Sequence, residues 1–306
     1  KYNPNKIIIY SRDELKQYDM QQSDFFCNKK NSKIIRYFIG DIRDKERLEL
    51  AMNNNIDLVI HAAALKHVPI AEYNPFEFVK TNVIGAQNLI DVSLKYNIDK
   101  VIALSTDKAA SPINLYGATK LTSDKLFIAA NNFKGNKKIK FSVVRYGNVM
   151  SSRGSVIPYF LKTVKKGFFN ITHKEMTRFN ITLPEGVNFV LKSFSLMNGG
   201  EIFVPKIPSY NIIDLAKSIS KTAKINIIGI RPGEKIHEEM ITSSDAANTY
   251  EYKNLFVIYP DRKSNKLIKL QGKKCKNNFK YNSKINKHFL KILELKEMVL
   301  SSDLNN

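Results

Sequence analysis

Short apolar runs at 7–10, 35–39, 57–61, 100–104 and 141–146 are separated by longer stretches with helical spacing. This alternation constrains the chain most, because strands that recur with a helix between them build βαβ units and a parallel sheet. The fold class expected is therefore α/β, a doubly wound parallel sheet. Helices are expected over 12–20, 44–54, 81–96 and 116–132. Asp44, with Arg47 three residues on and Leu48 and Leu50 behind it, reads as a capped amphipathic start. Asn82, Gly85 and Asn88 are unusual in a plain helix and are expected to face a site.

Past residue 150 the rhythm changes. Ser151-Ser152-Arg153-Gly154-Ser155 is a turn-like break, followed by a mixed region to about 197. A strand is expected at 201–205, returning to the first sheet, and a helix at 211–221. A further strand at 225–230 enters Arg231-Pro232-Gly233-Glu234-Lys235, with a helix expected after it and a last amphipathic helix at 288–299. The reading is a dinucleotide-binding domain over 1–150 and a smaller, mainly substrate-binding domain over 151–306. A doubly wound dinucleotide domain ordinarily opens with a strand, a Gly-rich turn and a helix that holds the pyrophosphate. No such glycine cluster is present, and the run 7–10 behaves like the second strand of such a fold. The expectation is a strand–turn–helix upstream of Lys1; the alternative is a degenerate relative that binds no dinucleotide.

In open α/β sheets, ligands bind beyond the carboxyl ends of the strands. There lies Ser105-Thr106-Asp107-Lys108, then a loop through Pro112, then a helical pattern carrying Tyr116 and Lys120. Positions four apart share a helix face, so the Lys120 ammonium is expected beside the Tyr116 phenol, lowering its pKa toward that of a usable base. Asp107 and Lys108 add a second acid/base pair. The same Tyr-x-x-x-Lys spacing occurs at Tyr2/Lys6, Tyr96/Lys100 and Tyr259/Lys263, but only the Tyr116 copy follows a strand end.

The net charge of +21 invites a nucleic-acid reading, but the lysines are scattered. The densest patch, Lys273, Lys274, Lys276, Lys280 and Lys284 with Phe279 and Tyr281 interleaved, is not enough to expect a nucleic-acid partner. No apolar run approaches the roughly 20 residues that span a bilayer, so no membrane segment is evident. Cys27 and Cys275 lack metal or disulfide spacing, which fits a reducing, cytoplasmic setting. His237-Glu238 has no second His four residues on, so no metal is expected there; His61 reads as a packed strand-end residue.

Several motifs in order carry a family likeness. They are Phe38-Ile-Gly-Asp-Ile-Arg-Asp, His61-Ala-Ala-Ala-Leu-Lys-His-Val-Pro, the 105–120 run, Arg145-Tyr-Gly-Asn-Val, Met176-Thr-Arg-Phe and Gly229-Ile-Arg-Pro-Gly-Glu-Lys. With these the chain resembles the extended short-chain dehydrogenase/reductase superfamily, with its Rossmann-like sheet, and within it the inverting UDP-N-acetylglucosamine 4,6-dehydratases of pseudaminic acid synthesis. The resemblance implies NADP, with Ser11, Arg12, Asp13 and Lys16 near its 2′-phosphate, Asp41 and Ile42 at the adenine, and Ala62, Ala63 and Ala64 beneath the cofactor. The fork of Arg12 suits a phosphate, although Asp13 is close enough to serve a ribose hydroxyl. It implies that Tyr116 and Lys120 are the redox pair, that Lys108 removes the C5 proton while Asp107 protonates the departing 6-hydroxyl, and that Thr106 bonds the sugar. For Lys108 to be a base its pKa must be lowered, with Lys120 the expected neighbouring cation. Lys66, Asn148, Arg153, Arg178 and Arg231 would bind the UDP-sugar. Homo-oligomers, commonly hexamers, are implied as well. A UDP-sugar 4-epimerase shares the Tyr/Lys pair and stays open as an alternative, as does a non-catalytic polyanion-binding module.

Overall fold

The computed structural model describes residues 2–152, 154–260 and 272–303. Every apolar run of the first half forms a strand: β1 (Ile7–Ser11), β2 (Ile35–Ile39), β3 (Leu58–His61), β4 (Lys100–Thr106) and β5 (Lys140–Tyr146). Further strands follow as β6 (Asn148–Val149), β7 (Phe168–Ile171), β8 (Thr177–Ile181), β9 (Ile202–Pro205), β10 (Ser209–Asn211) and β11 (Lys224–Ile227). The last are β12 (Glu239–Ile241), β13 (Thr249–Glu251), β14 (Leu255–Ile258), β15 (Lys273–Lys274) and β16 (Tyr281–Asn282).

The main sheet runs β15-β13-β14-β9-β5-β4-β3, with β3, β4, β5 and β9 parallel and β14 antiparallel to β9. Its centre is buried on both faces, with Val101, Ile102, Phe141, Val143 and Val144 wholly enclosed, which explains why these strands read as continuous apolar runs rather than alternating ones. β9 joins β5 as expected. β1 pairs in parallel with β2 in a separate two-stranded sheet, and β3 forms an edge of the larger one with Leu58 and Ile60 exposed. A second apolar centre gathers Phe160, Phe169, Tyr210, Leu215 and Leu295 from the helices Val156–Thr163, Ile212–Ile219 and Ile292–Asp303 and their strands.

Local chemistry sets the helix ends. Asp13 caps Glu14–Gln22 by accepting from the Lys16 N–H at 3.0 Å, and Asp44 caps Lys45–Met52 by accepting from Arg47 at 2.9 Å. The expected 81–96 helix opens instead with a π-helical turn, Lys80–Ile84, before the regular Gly85–Lys95. Its unusual residues do not face a ligand. Asn82 accepts from Leu65 N at 2.8 Å and donates to Leu65 O at 2.9 Å and to Thr119 at 3.0 Å, clamping the loop after β3. Asn88 donates to the carbonyls of Ile42 and Arg43, and Gly85 leaves room for the Ile42 side chain.

Two expected helical stretches differ. No helix follows Lys235, because the carbonyls there serve other partners: Ile236 O accepts from Thr177 N, and Glu238 O from Ser283 N. The last helix begins at Ile292, since His288 and Leu290 bond the backbone of Ser209 in extended form. Phe279 and Tyr281 pack on Phe256, at ring separations of 5.2 and 5.0 Å, so these aromatics serve the core rather than a stacking surface for bases. Among the described residues, no helix is long and apolar enough to cross a membrane and no cluster of His, Cys, Asp and Glu could hold a metal.

Candidate active site

The parallel strands end at a cleft of about 500 Å³, within the range of small-molecule sites. Its walls come from the loop after β3 (Ala62, Ala64, Lys66), the end of β4 (Thr106, Lys108), the helix Leu115–Phe133 (Tyr116, Lys120) and the end of β5 (Tyr146, Asn148). The opposite wall is Arg178 of β8 and the 231–238 segment.

Thr106 ends β4 and caps the 3₁₀ turn Asp107–Ala109, accepting from Lys108 N at 3.3 Å. That turn throws Asp107 inward, where it is fully buried, and Lys108 toward the cleft. The Lys108 ammonium lies 3.1 Å from Asp107 Oδ1, 3.2 Å from Glu238 Oε1 and 3.5 Å from Asn148 Oδ1. Its pKa is therefore not lowered as the sequence led us to expect. Burial favours the neutral amine, but two carboxylates outweigh it and hold the proton in place. The two carboxyl groups diverge: burial and the Glu238 charge raise the Asp107 pKa, whereas Lys108, Arg178 and Lys235 lower that of Glu238 despite its burial.

Tyr116 is 8% exposed, and burial pushes its phenol up to about 12. The cation that counters this is Lys108, not Lys120 as the helical spacing had suggested. Lys120 is 3% exposed, its pKa lowered by burial and partly restored by Asp124 one turn on. His61 is packed as expected, 5.5 Å from the Phe127 ring, with burial and Lys120 lowering its pKa to about 3.

Lys66 lines the cleft, its pKa lowered by burial and by the nearby Lys108 and Lys16 charges. Arg231 lines the cleft too, on a loop that Gly233 turns with φ +73 and that Asn114 holds by donating to Gly233 O at 2.7 Å. Arg178 lines the cleft, but its guanidinium donates to the carbonyls of Thr177, Lys235 and Ile236 and to Met176 Sδ, so it braces the wall. Arg153 lies outside the described residues.

At the ends of β1 and β2, Arg12 pairs with Asp41 at 3.3 Å and Lys16 with Asp13 at 3.1 Å. Ser11 accepts from Asp13 N, and Asp13 is spent on its helix cap. Ile42 is buried against Gly85, so only its backbone could meet an adenine. A nicotinamide cofactor fits this frame: small alanines floor the cleft, Tyr116 and Lys120 stand beside them, and the exposed Arg12 offers a fork to a phosphate.

Glu238 escaped the sequence reading. It lies just before β12, whose register shifts between Glu239 and Ile241, so no regular alternation marked it as buried. Asn114 was missed too; one side chain caps the Tyr116 helix, accepting from Gly117 N at 2.8 Å, and holds the Arg231 loop.

Comparison with known proteins agrees with this geometry. A model of the polysaccharide biosynthesis protein family matches residues 1–260. The chain is 54% identical to "UDP-N-acetylglucosamine 4,6-dehydratase (inverting)" of Campylobacter jejuni subsp. jejuni serotype O:23/36 (strain 81-176), covering 97% of this chain and 90% of that protein. It is 38% identical to "UDP-glucose 4-epimerase" of Rickettsia canadensis (strain McKiel), covering 97% and 87%. The solved structure of Pen from Bacillus thuringiensis superposes with a TM-score of 0.86 at 37% identity, covering 97% of this chain and 90% of that one.

Proposed function

The chain belongs to the polysaccharide biosynthesis protein family of extended short-chain dehydrogenases/reductases, and on that footing we propose that it is a UDP-N-acetylglucosamine 4,6-dehydratase. The observation that carries the reading is Lys108, with the buried Asp107 behind it at 3.1 Å, beside Tyr116 in one cleft. A 4-epimerase needs a base for the C4 hydroxyl and nothing at C5 and C6; a buried carboxyl whose pKa is raised, next to an amine, suits loss of water across C5 and C6.

In this reading Tyr116, aided by Lys120, takes the C4 hydroxyl proton, and Thr106 bonds the sugar. Lys108 removes the proton at C5, made acidic by the 4-ketone. Asp107 gives its proton to the 6-hydroxyl, which departs as water. A proton is then returned at C5, with inversion. Ala62, Ala63, Ala64, Tyr116 and Lys120 would hold a nicotinamide cofactor, which would supply the hydride acceptor for C4 and the donor for C6. Arg12, Ser11 and Lys16 favour NADP, because Asp13 is committed to its helix cap. Lys66, Asn148 and Arg231, which line the cleft, bind the nucleotide sugar with Arg178 supporting the wall behind them; Arg153 is assigned to the substrate by the family likeness alone. The chain is proposed to act as a homo-oligomer in pseudaminic acid synthesis, with residues 151–306 mainly a substrate-binding domain.

Incubating the full-length protein with UDP-N-acetylglucosamine in deuterated water tests this. Dehydration through a 4-ketone leaves deuterium at C5 of a 6-deoxy sugar; a product epimerised at C4 with no deuterium at C5 would establish the epimerase.

A further inference from the structure

The assigned roles leave one proton unaccounted for. Lys108 must be a free amine to take the C5 proton, yet two carboxylates keep it charged. Asp107 cannot serve as the acceptor, because the dehydratase reading needs its carboxyl as the donor to the 6-hydroxyl, and its raised pKa suits that part. The remaining group in contact is Glu238, whose Oε1 is 3.2 Å from Lys108 Nζ.

Glu238 is built into place. It is 2% exposed, on the cleft wall, and its backbone is held on both sides by Ser283: Glu238 N donates to Ser283 Oγ at 2.9 Å, and Ser283 N donates to Glu238 O at 2.8 Å. Arg178 Nε stands 3.8 Å from Oε1, while the guanidinium's other nitrogens are tied to backbone and to Met176. Oε2 is buried without a hydrogen-bond partner among the described residues, as is Asp107 Oδ2, and so it is an acceptor with spare capacity. Other charged or titratable groups face the Lys108–Glu238 pair: Asp107 from the same turn, Tyr116 from the helix, Lys66 from the loop after β3, Tyr210 from β10 and Lys235 from the loop before β12.

Resting on the dehydratase reading, we propose that Glu238 is a positioning residue that holds the Lys108 amine toward the sugar and reversibly takes its proton. The step balances. The N–H bond of Lys108 breaks and an O–H bond forms on Glu238, so an ion pair becomes a neutral amine beside a neutral carboxyl. The amine then takes the C5 proton, whose electron pair forms the C5–C6 double bond as the C6–O bond breaks and Asp107 supplies the proton that completes water. Lys108, once more an ammonium, keeps the proton it took from C5, Glu238 releases the one it holds to solvent, and C5 takes a solvent-derived proton on its opposite face, as inversion requires. No external base is consumed.

The test compares wild type, Glu238→Gln and Glu238→Asp in turnover of UDP-N-acetylglucosamine from pH 6 to 10, with Lys108 titrated separately by NMR of lysine-labelled protein without substrate. Glu238→Gln keeps the shape and loses the acceptor, so turnover at neutral pH drops on the order of a hundredfold with KM nearly unchanged. In that variant Lys108 must give its proton to solvent, so the ratio of variant to wild-type turnover climbs about tenfold per pH unit below the Lys108 pKa. The Lys108 pKa itself falls by about one unit or more, having lost one of its carboxylates. Glu238→Asp restores most of the turnover. A loss that is the same at every pH, an unmoved Lys108 titration, or unchanged turnover overturns the proposal. A wild type that leaves UDP-N-acetylglucosamine untouched overturns the dehydratase reading and this role with it, whereas an active wild type beside an indifferent Glu238→Gln overturns this role alone.

Discussion

Gly117 and the carbonyl of Lys108 share one space: a Cβ at 117 would collide with that oxygen. The first turn of the Tyr116 helix thus lies directly on the backbone of the acid/base turn, with Gly117 N bonded to Asn114 at 2.8 Å. Gly117→Ala forces the two apart. It is expected to cost about 1–3 kcal/mol in chemical denaturation, as overpacking does, and to lower turnover in the same protein, because Tyr116 and Lys108 move relative to each other.

Asp107 and Lys108 are expected to fail at the same step. Lys108→Ala and Asp107→Asn should each lower dehydration by roughly 10²–10⁴-fold. Oxidation at C4 survives, so reduced cofactor accumulates in a single-turnover absorbance trace while little deuterium enters C5. The Asp107 pKa is raised, so its acid form is the working one and is depleted as pH rises through that raised value; wild-type turnover therefore falls on the alkaline side, and its midpoint in a pH profile reports the carboxyl.

Arg12 is proposed to set the choice between the two nicotinamide dinucleotides. Replacing it with Ala removes a charge-assisted contact to a 2′-phosphate, so the preference for NADP over NAD, read as the ratio of kcat/KM, should fall by at least about tenfold. An unchanged ratio assigns the preference elsewhere.

His61 makes stability depend on pH. Its folded pKa, about 3, lies below the ordinary histidine value of 6.5. The stability it allows is fully present above 6.5 and is lost as pH falls toward 3, because the unfolded chain takes up a proton that the folded one refuses. The slope from this group approaches 1.4 kcal/mol per pH unit. Denaturation at pH 7 and pH 5 should show it, and His61→Leu, which keeps an apolar contact with Phe127, should remove that share.

Much of the frame was legible because it rests on local pattern. The run 35–39 became a strand as read, and Asp44 capped its helix, since neither needs a distant partner. What escaped depends on distant chain. Lys120 shares a helix with Tyr116, as the spacing said, but the sheet packed beneath sets it against His61, with Asp124 one turn on in its own helix. The helix expected after Lys235 lost to β8 and Ser283, which claimed its carbonyls. Glu238 lies far along the chain from Lys108, and no local pattern could join an acid there to an amine here.

The central strand β5 has β4 on one side, but its other neighbour, β9, arrives only after some fifty intervening residues, and β14 later still. A ribosome that has emitted the whole acid/base turn and the Tyr116 helix has therefore made a half-sheet with a bare apolar border, open to mispairing with another nascent chain. Until the C-terminal third emerges, β5 keeps that border unpaired, and the yield of the working shape rests on how soon β9 arrives to cover it.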